Sequence, residues 1–344
     1  MDISKKINQT INKLKLDLRG KIVLTEAATG PYCITPIIAA LAGAKVFAFT
    51  KNTKYGTTKD VTVQTNNLIK ETNNILDIEI ITELDRDIIN KADIITNSGH
   101  LRPLNKLKLH HTKTGVVIPL MYENWELRNS DIDLDYCKNN DILVAGTNEQ
   151  HPDIDMYGYL GDMCMKLILD SGNCLYNSTL VLLSNNDFGP SIVQKIAPLV
   201  KRIGIIDTNI RKKKYSSLDN ADWLGTFPTL NISKKYSDAD AIILSAYPFD
   251  HTWIGNVSEI TIKTIKSKFS SPLILRFMGD IDTNDLDHAD ISYYPSYVNS
   301  GHMGILPSDI GYDPVIRLQT AGLKVGQLLS QNIFSSSLVQ LLGS

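Results

Sequence analysis

Residues 141–172 read DILVAGTNEQHPDIDMYGYLGDMCMKLILDSG, and the parsing of this stretch decides the fold. Ile142–Gly146 is a short apolar run of buried-strand type, and Thr147–Asp155 is a polar loop. Met156, Leu160, Met163 and Leu167 then recur at helical spacing as far as Leu169. One α/β set lies before this stretch and another after it. Upstream, Lys21–Ala27 and Lys45–Thr50 read as strands around a helical run at Ile34–Leu41, a complete βαβ unit. Tyr55–Asn73 reads as a helix, and Ile78–Thr82, Asp93–Thr96 and Val116–Met121 as further strands. Downstream, strands are expected at Thr179–Ser184, Arg202–Asp207, Ala241–Ala246, Leu273–Phe277 and Ile291–Tyr294. Gly189–Val200, Val257–Phe269 and Pro314–Leu329 read as helices.

Strands alternating with helices predict parallel sheets covered on both faces. The expected class is α/β, with two Rossmann-like or flavodoxin-like domains joined by a connecting helix. Residues 1–153 form the first domain, with the helix at 313–330 packing back on it, and residues 154–312 form the second. A polar loop feeding a connecting helix is where a ligand cleft between two such halves is expected.

The bulk properties exclude several classes. A net charge of −2 gives no basic field for nucleic acid. Four cysteines without a CxxC pair argue against a zinc cluster or a disulfide framework and fit a reducing compartment. No apolar run approaches the roughly 20 residues that span a bilayer, and the first residues lack a signal-peptide core. Ile7, Ile11, Leu14 and Leu18 have helical spacing, which suits a capping helix or a membrane-surface helix. A cytoplasmic protein with no membrane or nucleic-acid partner is expected, and a homodimer is left open.

Candidate site residues cluster at strand ends. Asn97, Ser98, Gly99 and His100 follow one strand, and Arg102 lies close behind. His100 and Arg102 suit a substrate carboxylate or phosphate, or else a surface loop that starts a helix. Glu26 is a general base or a cap on a helix dipole. Glu123 follows the Val116 strand and, with Trp125, lines the crevice or packs. His151 sits in the hinge loop with Asn148, Glu149 and Asp153. No further residue completes a ligand set there, so no metal is expected.

The run from Ser130 to Asp207 resembles the central part of the D-2-hydroxyacid dehydrogenase superfamily. Asp131-Ile-Asp133, Asp141–Val144, Met156–Leu169 and Thr179–Asp207 follow that family's order: an Asp turn, a strand, a crossing helix, then a strand–turn–helix–strand–Asp unit. The resemblance extends from about Asp93 to His302. It implies NAD or NADP binding at Asp187, Phe188, Gly189 and Pro190, at Asp207, and at Ala246, Tyr247 and Pro248. It also implies a catalytic set from Arg276, an acid such as Asp280 or Asp282, and His302. His100, at the carboxyl end of its strand, is the other candidate proton carrier. Where the family has G-x-G-x-x-G, this chain has Asn185-Asn-Asp-Phe-Gly189-Pro190, and only a later glycine remains. Those glycines allow a tight turn and close approach to a pyrophosphate. Asp207 is a ribose ligand or simply the start of a turn.

Two functional classes follow. One is an NAD(P)-dependent oxidoreductase acting on a small polar or anionic substrate in the interdomain cleft. The other is a non-redox Rossmann-like protein that binds a nucleotide or S-adenosylmethionine for group transfer or sensing.

Overall fold

β1 (Ile22–Glu26) sits at the middle of the first sheet, with Val23 and Leu24 buried. The computed structural model describes residues 2–342, and the chain divides into two units. The first unit runs up to Met156 and resumes at Gly311; the second spans Tyr157–Ile310.

α1 (Ile3–Leu14) starts on the side chain of Asp2, which accepts the Lys5 N–H at 2.9 Å. Its apolar face, Ile7, Ile11 and Leu14, is buried. Beyond β1 come α2 (Thr35–Leu41), β2 (Lys45–Phe49), α3 (Thr58–Glu71), β3 (Ile78–Ile81), α4 (Arg86–Lys91) and β4 (Ile94–Ile95). α5 (Lys106–Leu109), β5 (Val117–Pro119), α6 (Leu134–Asn139) and β6 (Leu143–Thr147) complete this run. The six strands are parallel in the order β6-β5-β4-β1-β2-β3. This 3-2-1-4-5-6 order is the Rossmann arrangement, so the flavodoxin alternative falls away. Its switch point lies between β1 and β4.

The second unit opens with a 3₁₀ turn at Met156–Tyr159 and then α7 (Leu160–Asp170). β7 (Thr179–Ser184), α8 (Phe188–Ile196) and β8 (Arg202–Asp207) form the expected strand–helix–strand unit. Next come β9 (Ala221–Thr226), β10 (Ala241–Ser245), β11 (Thr252–Ile254), α9 (Ile262–Lys268), β12 (Leu273–Met278), β13 (Asp280–Ile281), α10 (Thr283–His288) and β14 (Ser292–Tyr294). The main sheet is again parallel, ordered β14-β12-β10-β7-β8-β9. β11 and β13 pair separately. Both faces of β7 and β10 are buried, which is why each reads as an unbroken apolar run.

The chain then returns to the first unit. α11 (Tyr312–Ser330) packs against α1, α2, β5 and β6, with Val315, Ile316, Ala321, Leu323 and Val325 inaccessible. β15 (Val339–Leu341) adds an antiparallel edge beside β6. Two strands fall outside the expected set: β9, the third strand on one side of the second sheet, and β15, which adds an edge beyond β6. Asn209–Tyr215 winds a 3₁₀ turn. Among the described residues no helix is long and apolar enough to cross a membrane.

Candidate functional site

All strands of the second unit's main sheet are parallel, so their carboxyl ends share one edge, and its switch point falls between β7 and β10. Two asparagines close that point. Asn186 Nδ2 donates to the Ser245 carbonyl at 2.8 Å. Asn185 pairs with Tyr247 in both directions, Nδ2 to the carbonyl at 2.6 Å and the Tyr247 N–H to Oδ1 at 2.8 Å. Ser184 and Asn186 thus occupy the first two positions of the glycine fingerprint, counting back from Gly189. Gly189 does the work of the third glycine: a Cβ there would lie 2.6 Å from both Ser184 Oγ and the Tyr215 hydroxyl. The helix can approach the strand only without a side chain.

The amino end of α8 is arranged unusually. Seven other helices, α1, α3, α4, α5, α6, α9 and α10, are capped by the side chain before them. The carboxylate of Asp187, which precedes α8, does not cap it. It turns instead to Arg211 Nε at 3.0 Å and Lys214 Nζ at 2.9 Å, and these cations hold its carboxyl below the usual range against the effect of partial burial. The Phe188 N–H goes to Asn186 Oδ1, and Pro190 has no N–H, which leaves the Gly189 N–H as the remaining donor of residues 188–190, with no recorded partner among the described residues.

Asp207 ends β8 but is wholly buried. Its carboxylate accepts the Tyr215 hydroxyl at 2.5 Å and the Thr208 N–H at 2.6 Å, and burial raises its pKa. Ala246 is buried and its N–H bonds the Met278 carbonyl at 2.9 Å. Tyr247 is partly exposed, and the Pro248 carbonyl accepts Trp253 Nε1 at 3.0 Å.

Arg276, inside β12, has the partner that a buried charge requires. It forms an ion pair with Asp280, both residues about one-twentieth exposed. The guanidinium also reaches the carbonyls of Val298, Asn299 and His302 at 3.2–3.4 Å, while Asp280 accepts Ser300 Oγ and the Gly301 N–H. The pair therefore pins the loop that carries His302. Gly304 bonds the Phe277 carbonyl, and a Cβ at Gly304 would overlap the Arg276 carbonyl. Arg276 Nε is buried with no partner among the described residues. His302 Nδ1 lies 3.0 Å from the Ser300 carbonyl, so it carries the hydrogen and Nε2 keeps its lone pair in the neutral ring. Asp282, the other acid considered, caps α10.

The first unit gathers its own polar set at its switch point. Glu26 accepts the His100 N–H at 2.8 Å, and His100 Nδ1 is buried without a partner among the described residues. Ser98, Thr96 and Thr25 form a chain of hydroxyls, and Gly99 is exposed. Arg102 donates to Asn97 Oδ1 at 3.0 Å and to its carbonyl at 2.8 Å, and lies over the Tyr122 ring. Tyr122 links Asn97 to Asp131. Neither Tyr122 nor Asp131 was marked as a site residue; a Tyr directly after an apolar strand was the available signal.

Glu123 is buried and ties down three segments: it accepts Trp125 Nε1 at 2.7 Å, Gln340 Nε2 at 3.0 Å and the Glu149 N–H at 3.3 Å. Its neighbours Glu126 and Glu149 have enclosed carboxyls although each residue keeps some exposed surface. Burial pushes Glu126 up to about 7, with Glu123 adding repulsion, and the same burial and crowding raise Glu149. His151 accepts the Asp153 N–H in a turn that Lys13 also holds.

Comparison with solved structures places this architecture. The dipicolinate synthase chain of Bacillus halodurans superposes with a TM-score of 0.57 at 12% identity, over 92% of this chain and 99% of that one. Its counterpart from Bacillus subtilis gives 0.55 at 13%, over 93% and 97%. At 12–13% identity the likeness is one of fold. The NAD-dependent formate dehydrogenase of Staphylococcus aureus, solved with NAD, matches at 0.50 and 10%, over 94% and 99%. No protein-family model matches the sequence, and no curated protein does.

Proposed function

We propose that this chain is an NAD(P)-dependent oxidoreductase acting on a small polar or anionic substrate. The observation that carries the reading is the Arg276–Asp280 pair holding the His302 loop at the carboxyl edge of a Rossmann-ordered sheet. The retained Gly189 and the available Gly189 N–H fit a dinucleotide phosphate at the start of α8, beside Ala246, Tyr247 and Pro248.

When bound, the nicotinamide supplies or takes a hydride. The chain's own residues do the rest. His302 Nε2 takes or returns the proton of the substrate oxygen, with Nδ1–H fixed on Ser300 so that the ring presents one tautomer. Arg276 offers its unpaired Nε–H to a substrate carboxylate, and leaving that donor buried and unmet costs about 1–3 kcal/mol. Asp280 keeps the guanidinium in place. The first unit carries its own polar set at its own switch point: Asn97, Ser98, Gly99 and Arg102 are candidates for binding an anionic group there, with Glu26, Glu123 and His151 holding the surrounding backbone and His100 beside them.

A second reading has one observation in its favour. The Asn185 and Asn186 bridges close the switch point that glycines normally leave open, which suits a nucleotide or S-adenosylmethionine bound without redox chemistry. Thermal unfolding with each ligand separates the two, because a ligand of the native state raises the melting temperature by mass action. A rise with NADPH or NADH supports the oxidoreductase. A rise with S-adenosylmethionine alone supports the second reading, and no rise with any of them sinks both.

A further inference from the structure

We infer that the basic turn after β8 is a 2′-phosphate subsite, so that NADP(H) rather than NAD(H) is the dinucleotide of this chain. The inference rests on the oxidoreductase reading and goes beyond it. In a sheet of this order the adenosine ribose lies at the end of the second strand, here β8. An exposed carboxylate at that place binds the 2′-hydroxyl and repels a 2′-phosphate; cations do the opposite.

Asp207 holds that place but is withdrawn. It has no exposed surface, and its two oxygens are engaged by Thr208 and by Tyr215. A ribose diol could reach it only by displacing the Tyr215 hydroxyl, whose residue is itself buried and stacked near Trp223. The turn Asn209–Tyr215 that delivers Tyr215 also carries Arg211, Lys212, Lys213 and Lys214. One turn therefore seals the acid and presents four cations.

Arg211 is rigidly placed. Its NH1 donates to the Asn185 carbonyl at 3.1 Å and to Thr208 Oγ1 at 2.7 Å, and its Nε meets Asp187 at 3.0 Å, joining the β7–α8 turn to the end of β8. Lys214 shares the same Asp187 oxygen. Lys212 lies over the Trp223 ring, and both it and Lys213 are exposed. The carboxylate of Asp187 engages Arg211 and Lys214, which leaves Lys212 and Lys213 as the exposed cations of the turn that it does not hold.

The test is titration of the full chain with NADPH and NADH, and with 2′,5′-ADP, 5′-AMP and inorganic phosphate as fragments. The expected result is binding of NADPH at least about tenfold tighter than NADH, with the same order for 2′,5′-ADP over 5′-AMP. The double variant Lys212→Ala/Lys213→Ala, both at exposed positions, should lose most of that preference while NADH affinity stays within about twofold. Lys212→Arg/Lys213→Arg should keep it. NADH bound as tightly as NADPH overturns the subsite and leaves the oxidoreductase reading standing. Binding of neither dinucleotide overturns both. Inorganic phosphate competing as well as 2′,5′-ADP overturns the subsite too, since the turn would then be a general anion surface.

Discussion

Asn186 reaches from the end of β7 to the Ser245 carbonyl at the end of β10, 2.8 Å away, and its Oδ1 holds the first amide of α8. A side chain that would obstruct a dinucleotide in an open glycine turn is folded back onto the sheet edge.

Replacing it should therefore have two opposed effects. Asn186→Gly removes both hydrogen bonds and adds chain entropy, costing about 1–2 kcal/mol, or roughly 2–8 °C in melting temperature. It should also tighten dinucleotide binding several-fold, because the backbone gains room for phosphate. Calorimetry and NADPH titration read the two effects separately; weaker binding would show that the bridge helps to build the site.

Asp280→Ala should destabilise the second unit far more than a surface substitution does. The change leaves the Arg276 charge buried without its partner, at a cost of about 3–5 kcal/mol, and removes the carboxylate that accepts from Ser300 Oγ and the Gly301 N–H. Denaturant unfolding checks it. A loss under about 1 kcal/mol would mean that water compensates Arg276.

Gly304→Ala tests the same corner sterically. The new methyl would run into the Arg276 carbonyl, so the loop must move off β12, costing about 1–3 kcal/mol and displacing His302. Unchanged stability would show that the loop is not seated on the strand as described.

His302→Ala should act on chemistry alone. Its ring bonds only the nearby Ser300 carbonyl among the described residues, so stability and dinucleotide affinity should hold while turnover falls about 10²–10⁴-fold. The check needs a substrate, found by screening small 2-hydroxy and 2-oxo acids. Full turnover in the variant would remove His302 from the mechanism.

Stability should fall as pH rises through the range from about 4.5 to about 7. Glu126 and Glu149 bind protons more tightly in the folded chain than in the unfolded one, so over that window the native state holds more protons and each rise in pH favours unfolding. Glu126→Gln, neutral at all pH, should flatten this part of the profile. Melting curves at pH 5, 6, 7 and 8 measure it, and an unaltered slope in the variant would assign the proton elsewhere.

The sequence by itself determined the elements whose signal is local. β7, β8 and β10 are apolar on both faces and bounded by turn residues, so they were legible as central parallel strands, and the α8 start was marked by Gly189-Pro190. The edge strands were not. β9 is half-buried and contains Asp222 and Gly225, and β15 is three residues long; neither carries a continuous apolar run. Candidate site residues were found by their place at strand ends, since the carboxyl edge of a parallel sheet follows from the alternation alone. What each does was decided by partners that only strand order brings near. Asn186 meets Ser245 because β10 crosses over to lie beside β7, and Arg276 meets the His302 loop because β14 returns beside β12. Asp207 looked available at the end of its strand, yet Tyr215 folds back and seals it. Periodicity records which face of an element is apolar. It carries no record of which polar group will stand opposite, because that is set by the crossovers of the whole sheet.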